Sequence, residues 1–203
     1  MKWFTIASVV VLVACRSAPT TTRSDASSNS LSPAASSNRE LDALYAADQA
    51  DRDGILSDAG SPLSSLTQRD DERMKRLREI LDAGGARVSQ DYEHAAMLFQ
   101  HGHDVEDYRK AHELALKAVQ LDPSNKHAKW LAAASKDREL MTLGKPQLYG
   151  TQFRSVEGGP WVLYPVDPSV TDDERAKWNV PPLAEAEQRA ARMNAEREAS
   201  RDR

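Results

Sequence analysis

Residues 91–153 read DYEHAAMLFQHGHDVEDYRKAHELALKAVQLDPSNKHAKWLAAASKDRELMTLGKPQLYGTQF. The stretch holds all five histidines of the chain, its clearest helical patterns and an aromatic, amide-rich exit. Over 91–101, Ala95, Leu98 and Phe99 recur at helical spacing until Gly102 breaks the pattern. Over 105–121, Tyr108, Ala111, Leu114, Ala115, Ala118 and Val119 share one face, closed by Asp122-Pro123. A third helix is predicted from Ser124 or Asn125, carrying Ala128, Trp130, Leu131, Ala134 and Met141 to a stop at Gly144. The strand formers of 147–153 and 161–166 flank Glu157-Gly158-Gly159, which predicts a β-hairpin spanning about 147–166. Such a hairpin is marginal alone and must pack on the helices.

Tyr108, Ala111, Ala115, Ala118 and Leu121-Asp122-Pro123 resemble the second helix of a tetratricopeptide-like repeat. Small residues there let helices approach closely, and the proline ends the unit. The first helix departs from that pattern, with Phe99 where a small residue is expected and a polar turn over 101–104. One repeat cannot bury its own faces, so flanking helices must cover it. The expected fold class is mainly α: a compact helical domain around a tetratricopeptide-like helix pair, with one β-hairpin near the C-terminal side.

The flanks supply the cover. Asn38 caps a helix carrying Leu41, Leu44, Tyr45, Ile55 and Leu56, which Gly60-Ser61-Pro62 ends. Thr67 with Asp70 three residues later predicts the start of a second helix, with Met74, Leu77, Ile80 and Leu81 on one face and Gly84-Gly85 as its stop. Asp172-Asp173-Glu174 opens a short helix reaching Trp178. Beyond Pro181-Pro182 lies a charged, alanine-rich helix that frays at its end. The single domain is expected over 38–194, followed by a charged tail over 195–203.

The N-terminus reads as an address. Residues 1–14, MKWFTIASVVVLVA, combine one lysine, an apolar run and small residues, the pattern of a signal peptide too short to span a bilayer as a mature helix. Leu12-Val13-Ala14-Cys15 resembles the bacterial lipoprotein box, which implies lipidation of Cys15 and loss of the preceding peptide. Stable attachment takes more than one acyl chain. Arg16 stands where an Asp typically retains lipoproteins at the inner membrane. The resemblance therefore implies the outer membrane of a diderm cell envelope, with the domain facing the periplasm. Residues 15–37 comprise that cysteine and a tether rich in Ser, Thr and Ala, without periodic apolar residues.

Composition narrows the partners. The 203-residue chain carries a net charge of -4, with basic and acidic residues interleaved, so no field exists to hold nucleic acid. Its single cysteine leaves no intrachain disulfide and no cysteine-rich zinc site. There is no nucleophile elbow, and the glycine pairs lack a P-loop lysine. No cofactor is expected. The expected partners are the membrane, through lipid on Cys15, and an envelope protein or small ligand.

Several short runs together are similar to those of an uncharacterised bacterial family, a domain of unknown function. They are Gln100-His101, Asp137-Arg138 and the Pro-Gln-Leu-Tyr-Gly-Thr-Gln run of 146–152. Tyr164-Pro165, Asp173-Glu174-Arg175 and 182–185 fit the same pattern. The resemblance covers roughly 41–194 and implies no assigned activity.

Two constellations carry candidate chemistry. His94, His101, His103 and Asp104 are candidate metal ligands, since imidazole and carboxylate suit zinc or iron, although the two-His helix spacing of metalloproteases is absent. The plainer reading is a polar helix end with His101 bonded to Asp104 or a carbonyl. Gln100, His101, Asp137, Arg138, Gln147, Tyr149 and Gln152 form a recognition set of amides, a phenol and a guanidinium. Their structural reading is backbone satisfaction and internal ion pairing. The expectation for function is a non-enzymatic binding module. The alternatives are a metal-assisted hydrolase of the His101/Asp104 region and a structural envelope lipoprotein.

Overall fold

The structure, a computed structural model, describes residues 36–56, 63–156 and 159–201. The leader, Cys15, most of the tether and the Gly60-Ser61-Pro62 stop lie outside the described residues. Seven helices and one small hairpin follow in the order α1 (Arg39–Leu56), α2 (Leu63–Asp82), α3 (Ser89–Gln100), α4 (Val105–Leu121), α5 (Lys126–Thr142), β1 (Phe153–Ser155), β2 (Trp161–Leu163), α6 (Asp172–Lys177) and α7 (Leu183–Arg201). The protein is mainly helical, with its hairpin near the C-terminal side. No helix among the described residues is long and apolar enough to cross a membrane.

Helices α3, α4 and α5 pack in succession, because the turns joining them are short and their caps are built in. Asp104 accepts from the Asp107 N–H at 2.9 Å to start α4, and Asn125 accepts from the Ala128 N–H at 2.9 Å to start α5. Ala111, Ala115 and Ala118 of α4 are buried, as are Ala128 and Ala132 to Ala134 of α5, so the backbones approach closely. Leu41 of α1, Met74, Leu77 and Ile80 of α2, and Ala95 to Phe99 of α3 complete the core. Full burial of one such large apolar side chain contributes about 1.5–3 kcal/mol.

Two starts differ from expectation. Helix α2 begins at Leu63, one turn before Thr67, and the Asp70 carboxylate turns to arginines rather than to a cap. Helix α3 begins at Ser89, because buried Asp91 accepts from the N–H groups of Arg87 (2.7 Å), Val88 (3.0 Å) and Asn38 (2.6 Å). One carboxylate thus fixes the entries of both α1 and α3. The end of α2 is as expected: Gly84 takes φ 68°, and the Gly85 N–H returns to the Ile80 carbonyl at 2.8 Å.

The hairpin strands are three residues each, shorter than the expected 147–166 span, with Phe153 opposite Leu163 and Ser155 opposite Trp161. Helix α7 holds them. Asn194 accepts from the Trp161 N–H at 2.7 Å and donates to its carbonyl at 2.9 Å, as a neighbouring strand would. Arg197, in the expected tail, donates to the Gly159 carbonyl at 2.6 Å, and α7 continues to Arg201. Asn194→Ala is expected to cost about 1–2 kcal/mol. Hydrogen exchange checks it: the Trp161 amide loses protection while α3 to α5 keep theirs, and an unchanged Trp161 amide would contradict the clamp.

Candidate functional site

Helix α3 runs out at Gln100, and His101 takes the C-cap position. Its ring reaches α1, where Nδ1 lies 2.8 Å from Asp48 Oδ2. Asp48 is 1% exposed and also receives Gln49 Nε2 at 2.8 Å and Arg52 at 3.2 Å. Arg52 continues to Asp70 at 2.9 Å, and Arg73 bridges Asp70 (2.6 Å) to Asp51 (2.7 Å). Acids and guanidinium groups alternate across the α1–α2 interface, as buried charge requires.

Burial works against the Asp48 carboxylate, yet the His101 hydrogen bond and the Arg52 and Arg73 cations hold it below the usual carboxylate range. Burial pushes the His101 imidazole below its ordinary value; Asp48 opposes this, while Arg52 and Arg138 reinforce it. His101 is therefore neutral at pH 7. A carboxylate only accepts, which assigns the ring proton to Nδ1 and leaves Nε2 as a bare acceptor. That Nε2 is buried and has no partner among the described residues.

Arg138 approaches from α5. Its Nη1 donates to the Gln100 carbonyl at 2.6 Å, its Nε to Gln152 Oε1 at 3.3 Å, and its guanidinium lies 5.7 Å from the centre of the Tyr108 ring. The side chain is buried and makes no ion pair among the described residues. Gln100 is 0% exposed, and among the described residues neither Nε2 nor Oε1 of its amide has a partner. One helix end thus gathers a bare imidazole nitrogen, an unpaired amide and an unneutralised cation. Each of these groups is able to hydrogen-bond a polar partner.

The neighbouring Asp137 points into the loop that follows α5. It accepts from the N–H groups of Leu148 (2.7 Å), Tyr149 (3.0 Å) and Thr151 (3.0 Å) and from Thr151 Oγ1 (2.8 Å). Burial raises its carboxyl above the ordinary value, and these donors pull the other way. Gly150 takes φ 84° to close the loop, with Leu183 packed where a side chain would start. Gln147 donates to the carbonyls of Gln152 (3.0 Å) and Tyr164 (2.8 Å) and accepts from the Gln152 N–H (2.8 Å). The Tyr149 carbonyl accepts from Arg175 at 3.1 Å, and its ring meets Trp178 edge-on.

Of the seven recognition candidates, Arg138 therefore links the Gln100 backbone carbonyl to the Gln152 side chain at the end of α3, where His101 caps the helix. Asp137, Gln147 and Tyr149 build the loop behind it, with Gln152 in both. The set is mostly buried and does not line an open concavity. The metal candidates are dispersed: His101 bonds Asp48, His94 stacks on Tyr45 at 4.0 Å, His103 is exposed beside Asp71, and Asp104 caps α4. Among the described residues no three His, Cys, Asp or Glu side chains are grouped to hold a metal ion. A separate groove of about 290 Å³ lies under α7, floored by Trp130, Phe153 and Val180.

Sequence reasoning missed Asp48, Arg52 and Tyr108 as parts of this junction. The signal was present for the first two: Leu41, Tyr45, Asp48 and Arg52 share one helical face, and an acid in an apolar stripe needs a buried partner. Comparison with family models, curated proteins and solved structures gives no match.

The two depressed histidines set a pH dependence. Burial lowers His94 as well, against the pull of Glu93, Asp42 and Asp91. A histidine depressed in the folded state binds its proton more tightly when unfolded, so stability is complete above about pH 6.5 and falls below it. The expected slope is up to about 1.4 kcal/mol per pH unit for each histidine. Urea titrations check this: loss begins between pH 7 and 5, and a flat profile over that range would contradict it.

Proposed function

We propose that this chain is a lipid-anchored protein of the cell envelope whose helical domain is a binding module, with the Gln100–His101–Arg138 junction as its ligand site. The observation that carries the reading is the buried Arg138 guanidinium, bonded to the Gln100 carbonyl without a counter-charge, at a helix end where the Gln100 amide and His101 Nε2 also lack partners among the described residues. Each unsatisfied buried polar group costs roughly 1–3 kcal/mol. The buried carboxylates Asp91 and Asp137 are fully satisfied by contrast, which marks this junction as the candidate ligand site. The lipoprotein box at Cys15 and the polar tether support the anchoring, with the outer membrane as the site. Membership of the uncharacterised family with the same short runs belongs to the same proposal.

The metal-assisted hydrolase reading keeps His101 with its acid partner. It has less support, because Asp104 is committed to the α4 cap and the other histidines stand elsewhere.

Native mass spectrometry of the full-length protein in mild detergent tests the binding. The expected result is a retained small molecule at one per chain, lost in Arg138→Met. An empty protein whose stability no compound of a broad metabolite set changes would end the reading. The anchor is tested by palmitate labelling: Cys15→Ser is expected to lose both the label and the membrane fraction, and a labelled Cys15→Ser protein would refute it.

A further inference from the structure

We infer that the junction takes a small oxyanion that also carries an O–H group, an inference that rests on its being a ligand site. The argument begins with a contrast among buried arginines. Arg73 is paired with Asp70 and Asp51, and Arg175 with Asp172 at 3.1 Å. Arg138, 6% exposed, is the exception. Its neighbours are a carbonyl, an amide oxygen and an aromatic face, none carrying a negative charge. A cation removed from water without a counter-charge is expensive, and a bound anion is the usual remedy.

The donor geometry favours oxygen. A guanidinium presents a planar fork that matches carboxylate or phosphate oxygens. Arg138 uses Nε and Nη1 within the protein and forms no Nη2 bond among the described residues. Arg52 adds positive potential at His101 and Arg138. The second requirement comes from His101. With its proton committed to Asp48, the unpartnered Nε2 accepts and does not donate. An anionic oxygen alone would meet that lone pair unfavourably, whereas an O–H on the same ligand satisfies it. The Gln100 amide, on the last residue of the same helix, keeps a free donor and a free acceptor among the described residues. A hydroxy acid or a hydrogen phosphate group supplies both features on one small frame.

The test uses the detergent-solubilised full-length protein at pH 7.5 with five probes: glycolate, hydrogen phosphate, acetate, sulfate and ethylene glycol. Calorimetry is expected to show saturable one-to-one binding of glycolate or hydrogen phosphate. Acetate and sulfate, which lack an O–H, bind about tenfold more weakly, and ethylene glycol does not bind. In the same samples the His101 Nε2 resonance moves on saturation. Arg138→Met raises Kd about tenfold or more. The wild-type saturation and the His101 resonance decide the matter even where that variant fails to fold.

A non-saturating rise in melting temperature, equal for sulfate and phosphate, is general salt exclusion and overturns the inference. Equal binding of ethylene glycol overturns it too. Silence from all five probes overturns it while leaving the binding reading intact if native mass spectrometry finds a retained neutral molecule. Silence together with an empty protein, or with ordered water alone at the junction, overturns both.

Discussion

Asp137→Ala is expected to destabilise the protein by about 3–5 kcal/mol, the largest effect of any single polar substitution described here. The carboxylate is 0% exposed and receives four donors from the loop over 148–151. Alanine leaves all four without an acceptor in a space that water enters poorly. The loop also carries Gln152, whose Oε1 receives Arg138, so the junction loosens with it. Asp137→Asn removes the buried charge but turns an NH2 group onto donors, and is expected to fall between wild type and alanine. Urea denaturation measures both. Asp137→Ala within 1 kcal/mol of wild type would mean that the loop is held by something else.

Asp48→Ala is the second large effect, about 3 kcal/mol, because it strips acceptors from His101 and Gln49 and one of two acids from Arg52. It carries a spectroscopic consequence that a merely structural residue would not. With the acceptor gone, nothing fixes the His101 proton on Nδ1, and nitrogen shifts are expected to move from a single tautomer toward a mixture. Asp48→Asn retains an oxygen for the Nδ1–H and preserves the tautomer, though not the charge opposite Arg52. An unchanged His101 tautomer in Asp48→Ala would remove Asp48 as its positioning residue.

The parts of the fold that sequence made legible are those set by local chemistry. The α4 span and the Asn125 and Gly84 signals follow from period, caps and a positive φ, all fixed within a few residues. The start of α3 did not, because Asp91 serves Asn38, 53 residues away, as well as its own helix. The site shows the same division. Asp137 and Arg138 are neighbours in sequence and face different partners, which composition cannot separate: one secures a loop, the other stands without an acid. The unpaired state of the Gln100 amide was invisible in the sequence, since an amide in a helix gives no sign of whether tertiary neighbours will meet it.

The spacing of these contacts also has a consequence for assembly. Asp137 reaches its loop donors across 11 to 14 residues, so the segment from α5 to Gln152 closes a short chain segment. The Asp48–His101 bond spans 53 residues. Contacts that close short segments form early, and distant ones wait for them. The topology therefore implies that α3 to α5 and the loop fold first as a pre-shaped half, and that docking of α1 seals the junction last. A folding chain would therefore pass through a state in which Arg138, Gln100 and the His101 ring still face water, and the interior polar groups would lose it only when α1 docks.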